Sequence, residues 1–254
     1  MILADLSRDL AIGRSVMARV SQAQRPEQRL RDVIIGGGFD LADHSVGGDA
    51  IALTIVRART LPDIVAPGLK ILICGLNPSL YAADVGVGFA RPGNRFWPAA
   101  LAAGLLSQDR DPRHALLHHR LGMTDLVKRA SVGADELTQA DYLSGFARLE
   151  RLCGWLEPAS VCFLGLAGWR AAVDRKSTAG WQNRTVGGRP AYLMPNPSGL
   201  NAHSRLEDLA EHLRVASGSR VASGSYVAAP VEQPAHNPSN THNPSSTRRN
   251  GGAC

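Results

Sequence analysis

Two short segments carry residue types that could do chemistry together. Gly75-Leu76-Asn77-Pro78-Ser79 directly follows the apolar run Ile71-Leu72-Ile73-Cys74. Far downstream, Met194-Pro195-Asn196-Pro197-Ser198-Gly199-Leu200 again puts Asn-Pro at the end of an apolar, strand-like run. Pro78 fixes φ and removes a backbone donor, while Gly75 permits close backbone approach. Asn77 is thereby held in a tight loop at a strand end. Its side chain offers one acceptor and two donors and does not titrate. It can orient a water, but it cannot take a proton as a carboxylate does. Read in isolation, the same segment is equally a turn whose Asn satisfies its own backbone.

The elements that must position these loops alternate in type. The pattern predicts strands at 70–74, 160–165 and 190–194, an extended segment near 122–128, and helices near 95–104, 138–156, 166–174 and 203–215. Such alternation argues for an α/β three-layer sandwich, a mostly parallel central sheet with helices on both faces. Parallel strands end on one edge, where ligands bind. Two strand-end loops can therefore face each other across one cleft.

Three zones are expected. Residues 1–62 form an N-terminal extension of unknown role, with a helix over about 4–21, a turn at Gly36-Gly37-Gly38 and a strand from Ile51 to Val56. Residues 63–216 form the α/β domain. Residues 217–254 repeat Val-Ala-Ser-Gly-Ser and His-Asn-Pro-Ser, a polar, Pro-rich composition that predicts a disordered tail.

The bulk properties narrow the choice. The chain has 254 residues, 44% hydrophobic, with a net charge of +6. A basic balance suits a polyanion without selecting one. Cys74, Cys153, Cys162 and Cys254 form no C-x-x-C pair, which speaks against zinc and iron–sulfur sites. Cys74 and Cys162 read as buried small hydrophobes. His114, His118 and His119 have ligand-like spacing without a carboxylate or Cys partner, so no metal is expected. Gly86-x-Gly88 lacks the third Gly of a dinucleotide loop, and Ser79 and Ser198 sit in no Gly-x-Ser-x-Gly elbow. No apolar signal core precedes Asp5 and no apolar run of about 18 residues occurs, so a cytoplasmic protein is expected.

The run Gly75 to Trp97 resembles the first motif of the mismatch-specific uracil/thymine-DNA glycosylases, within the uracil-DNA glycosylase superfamily. There Gly-(Ile/Leu)-Asn-Pro is followed by Phe-Ala, here Phe89-Ala90, and by Asn-Arg-Phe-Trp, here Asn94 to Trp97. Gly122-Met123-Thr124-Asp125-Leu126-Val127-Lys128-Arg129 resembles the middle motif, and Pro195 to Leu200 the wedge loop. The resemblance implies that Asn77 positions the attacking water and that Phe89 stacks on an extruded base, with Leu76 supplying backbone contacts. It implies that Leu200 fills the gap in the duplex, with backbone groups on Gly199 and Asn201 reading the unpaired guanine and Ser198 in the same DNA-contacting loop. Lys128 and Arg129 become candidates for phosphate contact, and Asp84 a reserve acid/base candidate. Tyr81, bulkier than is usual at its position, is expected to narrow the pocket against a thymine methyl. Around Leu200 the pattern departs, because the nearest Arg is Arg205.

These matches imply a monofunctional glycosylase releasing uracil, and as further candidates thymine or other damaged pyrimidines, opposite guanine in double-stranded DNA. It would need no cofactor and work as a nucleoid-associated monomer. The alternative is a non-catalytic module binding mismatched or abasic DNA on the same fold.

Overall fold

Buried parallel strands read as unbroken apolar runs, because both faces are covered. In the computed structural model, which describes residues 2–21, 27–199, 201 and 204–218, four such strands build the central sheet. In chain order the elements are α1 (Ile2–Asp9), β1 (Ser15–Ser21), α2 (Glu27–Gly36), β2 (Phe39–Gly47) and β3 (Ala50–Arg57). Then come β4 (Ile71–Gly75), α3 (Leu80–Val85), α4 (Phe96–Ala102), α5 (Pro112–His119) and β5 (Leu121–Asp125). A 3₁₀ turn (Ala134–Glu136) precedes α6 (Gln139–Leu156), β6 (Val161–Leu164), α7 (Ala167–Ala172), β7 (Gly180–Trp181), β8 (Ala191–Met194) and α8 (Leu206–Ala216).

The main sheet has the order β5-β4-β6-β8-β7. All its neighbours pair in parallel except the short edge strand β7. Successive β4 side chains enter opposite layers. Ile71 and Ile73 pack with Phe96, Trp97, Leu209 and Leu213 from α4 and α8. Leu72 and Cys74 pack with Phe146, Leu149 and Trp169 from α6 and α7. The expected α/β sandwich is therefore the observed one. Cys74, Cys153 and Cys162 are buried, and burial pushes their thiols up, Cys153 to about 12. Strand order reverses between β4 and β6, and in open α/β sheets ligands bind beyond the carboxyl ends of the strands at such a switch.

The N-terminal layer departs from expectation. The predicted helix over 4–21 is α1 followed by strand β1. Gly13, at φ 81°, turns the chain and donates its N–H to Arg57 O at 2.8 Å. From Ser15 to Ser21 half-buried and exposed residues alternate strictly, the period of a strand. β1, β3 and β2 form an antiparallel sheet over a small core of Leu30, Ile34, Phe39, Leu53 and Ile55. The predicted strand from Ile51 to Val56 is the middle of β3.

This layer meets the α/β part through α2 and α6, within the compact unit Met1–Arg220. Arg151 on α6 donates to both Asp32 oxygens at 2.6 and 3.0 Å. Asp63 N–H donates to Gly36 O at 2.6 Å. A Cβ on Gly36 would lie 2.5 Å from Asp63 Oδ2, so only glycine allows this approach. The α6 helix itself starts on a reciprocal cap: Thr138 Oγ1 accepts from Asp141 N–H at 3.2 Å, and Asp141 accepts from Thr138 N–H at 2.8 Å. Among the described residues no helix is long and apolar enough to cross a membrane. Of the expected disordered tail, residues 219–254 lie outside the described residues.

Candidate active site

The loop after β4 is set by the loop after β5. Leu126 N–H donates to Gly75 O and Val127 N–H to Leu76 O, both at 2.9 Å, and Ser131 N–H reaches Pro78 O at 3.2 Å. Ser79 then starts α3, its Oγ accepting from Ala82 N–H at 3.2 Å. Asn77 Nδ2 donates to Ser131 Oγ at 2.8 Å and to Arg129 O at 3.0 Å, with Pro78 O at 3.3 Å. A carbonyl can only accept, so the amide nitrogen must face this side. The Asn77 carbonyl oxygen is left as the outward acceptor, and among the described residues no donor reaches it. Ser131 Oγ donates its own hydrogen to Gly133 O at 2.7 Å, so its lone pairs are left to accept from Asn77.

Phe89 has φ 58°, a left-handed conformation that costs a non-Gly residue about 1–2 kcal/mol. Its ring packs 4.6 Å from that of Phe96. Trp97 Nε1 secures the loop by donating to Gly88 O at 2.8 Å. A Cβ on Gly75 would stand 3.2 Å from two Phe89 ring atoms and 2.3 Å from Asp125 Oδ1. Gly75 is thus the floor on which an aromatic ring and a carboxylate converge. Asp125, paired with Gly75 in the sheet register, lines the hollow with Phe89, Gly88, Thr124 and Leu61.

The same run reaches the second Asn-Pro loop. Arg95 N–H donates to Pro197 O at 2.9 Å, and its Nη2 reaches Asn201 O at 2.5 Å and Ser198 O at 3.4 Å. Its Nη1 binds Ser204 O. Gly199 lies so close to Gly93 that a Cβ would stand 2.8 Å from the Gly93 carbonyl. Ser198, Gly199 and Asn201 are therefore clasped to the segment that carries Phe89. Leu200 lies outside the described residues.

Other expected residues sit differently. Lys128 is not a surface cation: its side chain is 4% exposed, and its ammonium binds Asp63 Oδ1 at 2.8 Å and the Leu61 carbonyl. A buried ammonium needs a partner, and the N-terminal layer and the segment after it bring Asp63 to it. Arg129 remains accessible, but its guanidinium meets Glu136 O at 2.9 Å and Asp141 at 3.1 Å. Its carbonyl holds Asn77. Tyr81 is 48% exposed in the first turn of α3 and does not line the hollow. Asp84 faces solvent in a pair with Arg59 at 2.6 Å. Leu76 packs its side chain toward Gly168.

Two acidic residues emerged only with the fold. Asp63 is buried between Lys128 and Arg148, with Thr124 Oγ1 donating to it at 2.6 Å. Burial opposes its charge, yet Arg148 and Lys128 outweigh burial and hold its carboxyl below the usual range. Asp125 is 6% exposed, and among the described residues none donates a hydrogen bond to its carboxylate. Burial pushes it up to about 6, against the pull of Lys128 and Arg148. Its sequence signal was an acid closing an apolar strand.

A solved structure of similar form is that of a candidate uracil DNA glycosylase from Methanosarcina acetivorans, determined in solution by NMR. It is 22% identical, the match covers 63% of this chain and 97% of that one, and the TM-score is 0.43. The family model of the uracil DNA glycosylase superfamily matches residues 62–216, more than half of the chain and all three motif segments. The chain belongs to the uracil DNA glycosylase superfamily, whose members are hydrolases that act on DNA as glycosylases.

Proposed function

We propose that this protein is a monofunctional, mismatch-specific glycosylase that hydrolyses the N-glycosidic bond of uracil opposite guanine in double-stranded DNA, for base excision repair. Thymine and other damaged pyrimidines are further candidate substrates. The observation that carries the reading is the fixed Asn77 amide, its oxygen free, on the strand edge where the Phe89 ring lies over Gly75.

In this reading the target nucleotide leaves the stack, which costs a few kcal/mol, least at a mismatch. Its base lies against Phe89, whose apolar face accepts any pyrimidine. As the glycosidic bond lengthens, negative charge grows on the leaving base, and backbone amides of the loops around Leu76 and Phe89 stabilise it. Asn77 Oδ1 accepts a hydrogen bond from water and aims its lone pair at the sugar carbon. Asn cannot take the proton, so the chemistry is slow. The Lys128 ammonium is committed to Asp63, which is consistent with hydrolysis without a lysine Schiff base. Leu200 enters the duplex as the wedge, between Gly199 and Asn201, which contact the widowed guanine. Residues 1–62 serve as a buttress for the domain at 63–216. The enzyme works as a monomer in the cytoplasm, on the nucleoid.

Base release from a G·U duplex under single turnover tests this. Asn77→Ala should slow it about 10²-fold; an unchanged rate excludes the role. Leu200→Ala should weaken binding to an abasic duplex and slow uracil release, and wild-type behaviour would reject the wedge.

A further inference from the structure

The hollow beside Phe89 holds one charged group that the hydrolytic reading does not use. The Asp125 carboxylate is 6% exposed, faces the Gly75 floor and the Phe89 ring, and has no donor among the described residues. Buried polar groups are ordinarily paired, so an unpaired one aimed into a hollow is placed to meet something that enters it. A carboxylate accepts hydrogen bonds and repels carbonyl oxygens; a protonated carboxyl donates one to a carbonyl. Pyrimidines differ in these respects. Uracil flanks its single ring N–H with two carbonyls, whereas cytosine carries an amino group beside an unprotonated ring nitrogen.

Resting on the glycosylase reading, we propose that Asp125 selects the everted base by its protonation state. Ionised, it favours a base edge bearing an amino group; protonated, it favours the carbonyl edge of uracil.

The surroundings make this exchange possible near neutral pH. From the loop after β5, Lys128 faces the carboxylate, and from α6, Arg148; both favour its charge. Asp63, before β4, opposes it, and the buried Cys74 thiol of β4 lies close enough to feel it. The Phe89 loop presents an uncharged ring. Burial dominates, and the carboxyl ionises at about 6. Lys128 and Arg148 are themselves occupied by Asp63, which leaves Asp125 unpaired.

The test uses duplexes carrying uracil or cytosine, each opposite thymine so that neither is Watson–Crick paired. Single-turnover release is measured from about pH 5 to about pH 8, a range that spans the titration. Affinities are measured in parallel for the 2′-fluoroarabino versions, which resist hydrolysis. The uracil-to-cytosine ratio cancels pH effects on phosphate contacts. It should fall about tenfold across the range in the wild type and change less than about twofold in Asp125→Asn, which cannot ionise. A flat wild-type ratio, or a slope that survives Asp125→Asn, overturns the proposal. Because the wild type carries the first criterion, a misfolded variant does not blunt the test. Uracil opposite guanine is the control. If it is not released, the glycosylase reading falls, while the 2′-fluoro affinities still decide whether Asp125 selects bases.

Discussion

Two buried carboxylates sit within one charge network and are treated in opposite ways. Asp63 has Lys128, Arg148 and Thr124 around it. Asp125 feels the same two cations, and Arg148 Nη2 donates to its backbone carbonyl at 3.0 Å, but its carboxylate receives no hydrogen bond among the described residues. Around Asp63 every lone pair that matters has a partner, so the charge joins the N-terminal layer to the sheet edge. Around Asp125 the partners are already committed, and the carboxyl is left facing the hollow. A buried ion that holds a structure is satisfied; a buried ion left over is available to a ligand.

The largest effect should come from breaking the satisfied side. Asp63→Ala would strand two buried cations and lower stability by about 3–5 kcal/mol, read by urea denaturation near neutral pH. Because its folded carboxyl is held low, that stabilisation is present above the ordinary Asp range and is lost on acidification. A neutral loss below 1 kcal/mol would mean that the two regions do not differ as described.

Asp125→Asn should act in the opposite direction. The wild-type carboxyl titrates at about 6 when folded against 3.8 as reference. Folded protein therefore binds the extra proton between these values, and wild-type stability falls as pH rises through this window. The Asn variant should be more stable by up to about 3 kcal/mol above pH 6, a gain that vanishes below about pH 4. Paired denaturation curves at the two pH extremes check this.

Gly36→Ala sharpens the comparison from outside the family-matched region. Its Cβ would press on Asp63 Oδ2 at 2.5 Å, so a loss of about 1–3 kcal/mol is expected. Arg59→Ala is the smallest change: its pair with Asp84 is exposed, and the denaturation midpoint should not move measurably.

Much of the main sheet was legible in the sequence because its strands are buried on both faces. Ile71 to Cys74 and Val161 to Leu164 announce themselves as apolar runs. The helix predicted near 138–156 is α6, which the structure starts on a Thr138 cap. The N-terminal layer was harder. Ser15 to Ser21 alternates like a strand, but α1 before it and a lone Gly13 let the whole stretch be read as one helix. Asn77 and Phe89 were legible as types and spacing. The burial of Lys128 was not legible, because a cation beside a strand end gives no sign of whether a carboxylate 65 positions earlier will reach it.

Sequence alone determined that two Asn-Pro loops close strands of a parallel sheet, because proline, glycine and apolar runs act through local geometry. Only tertiary structure decided which charges meet. It put Lys128 and Arg148 on Asp63, left Asp125 beneath Phe89, and bound the second loop through Arg95. Those outcomes depend on through-space distance and on burial, which no local pattern encodes.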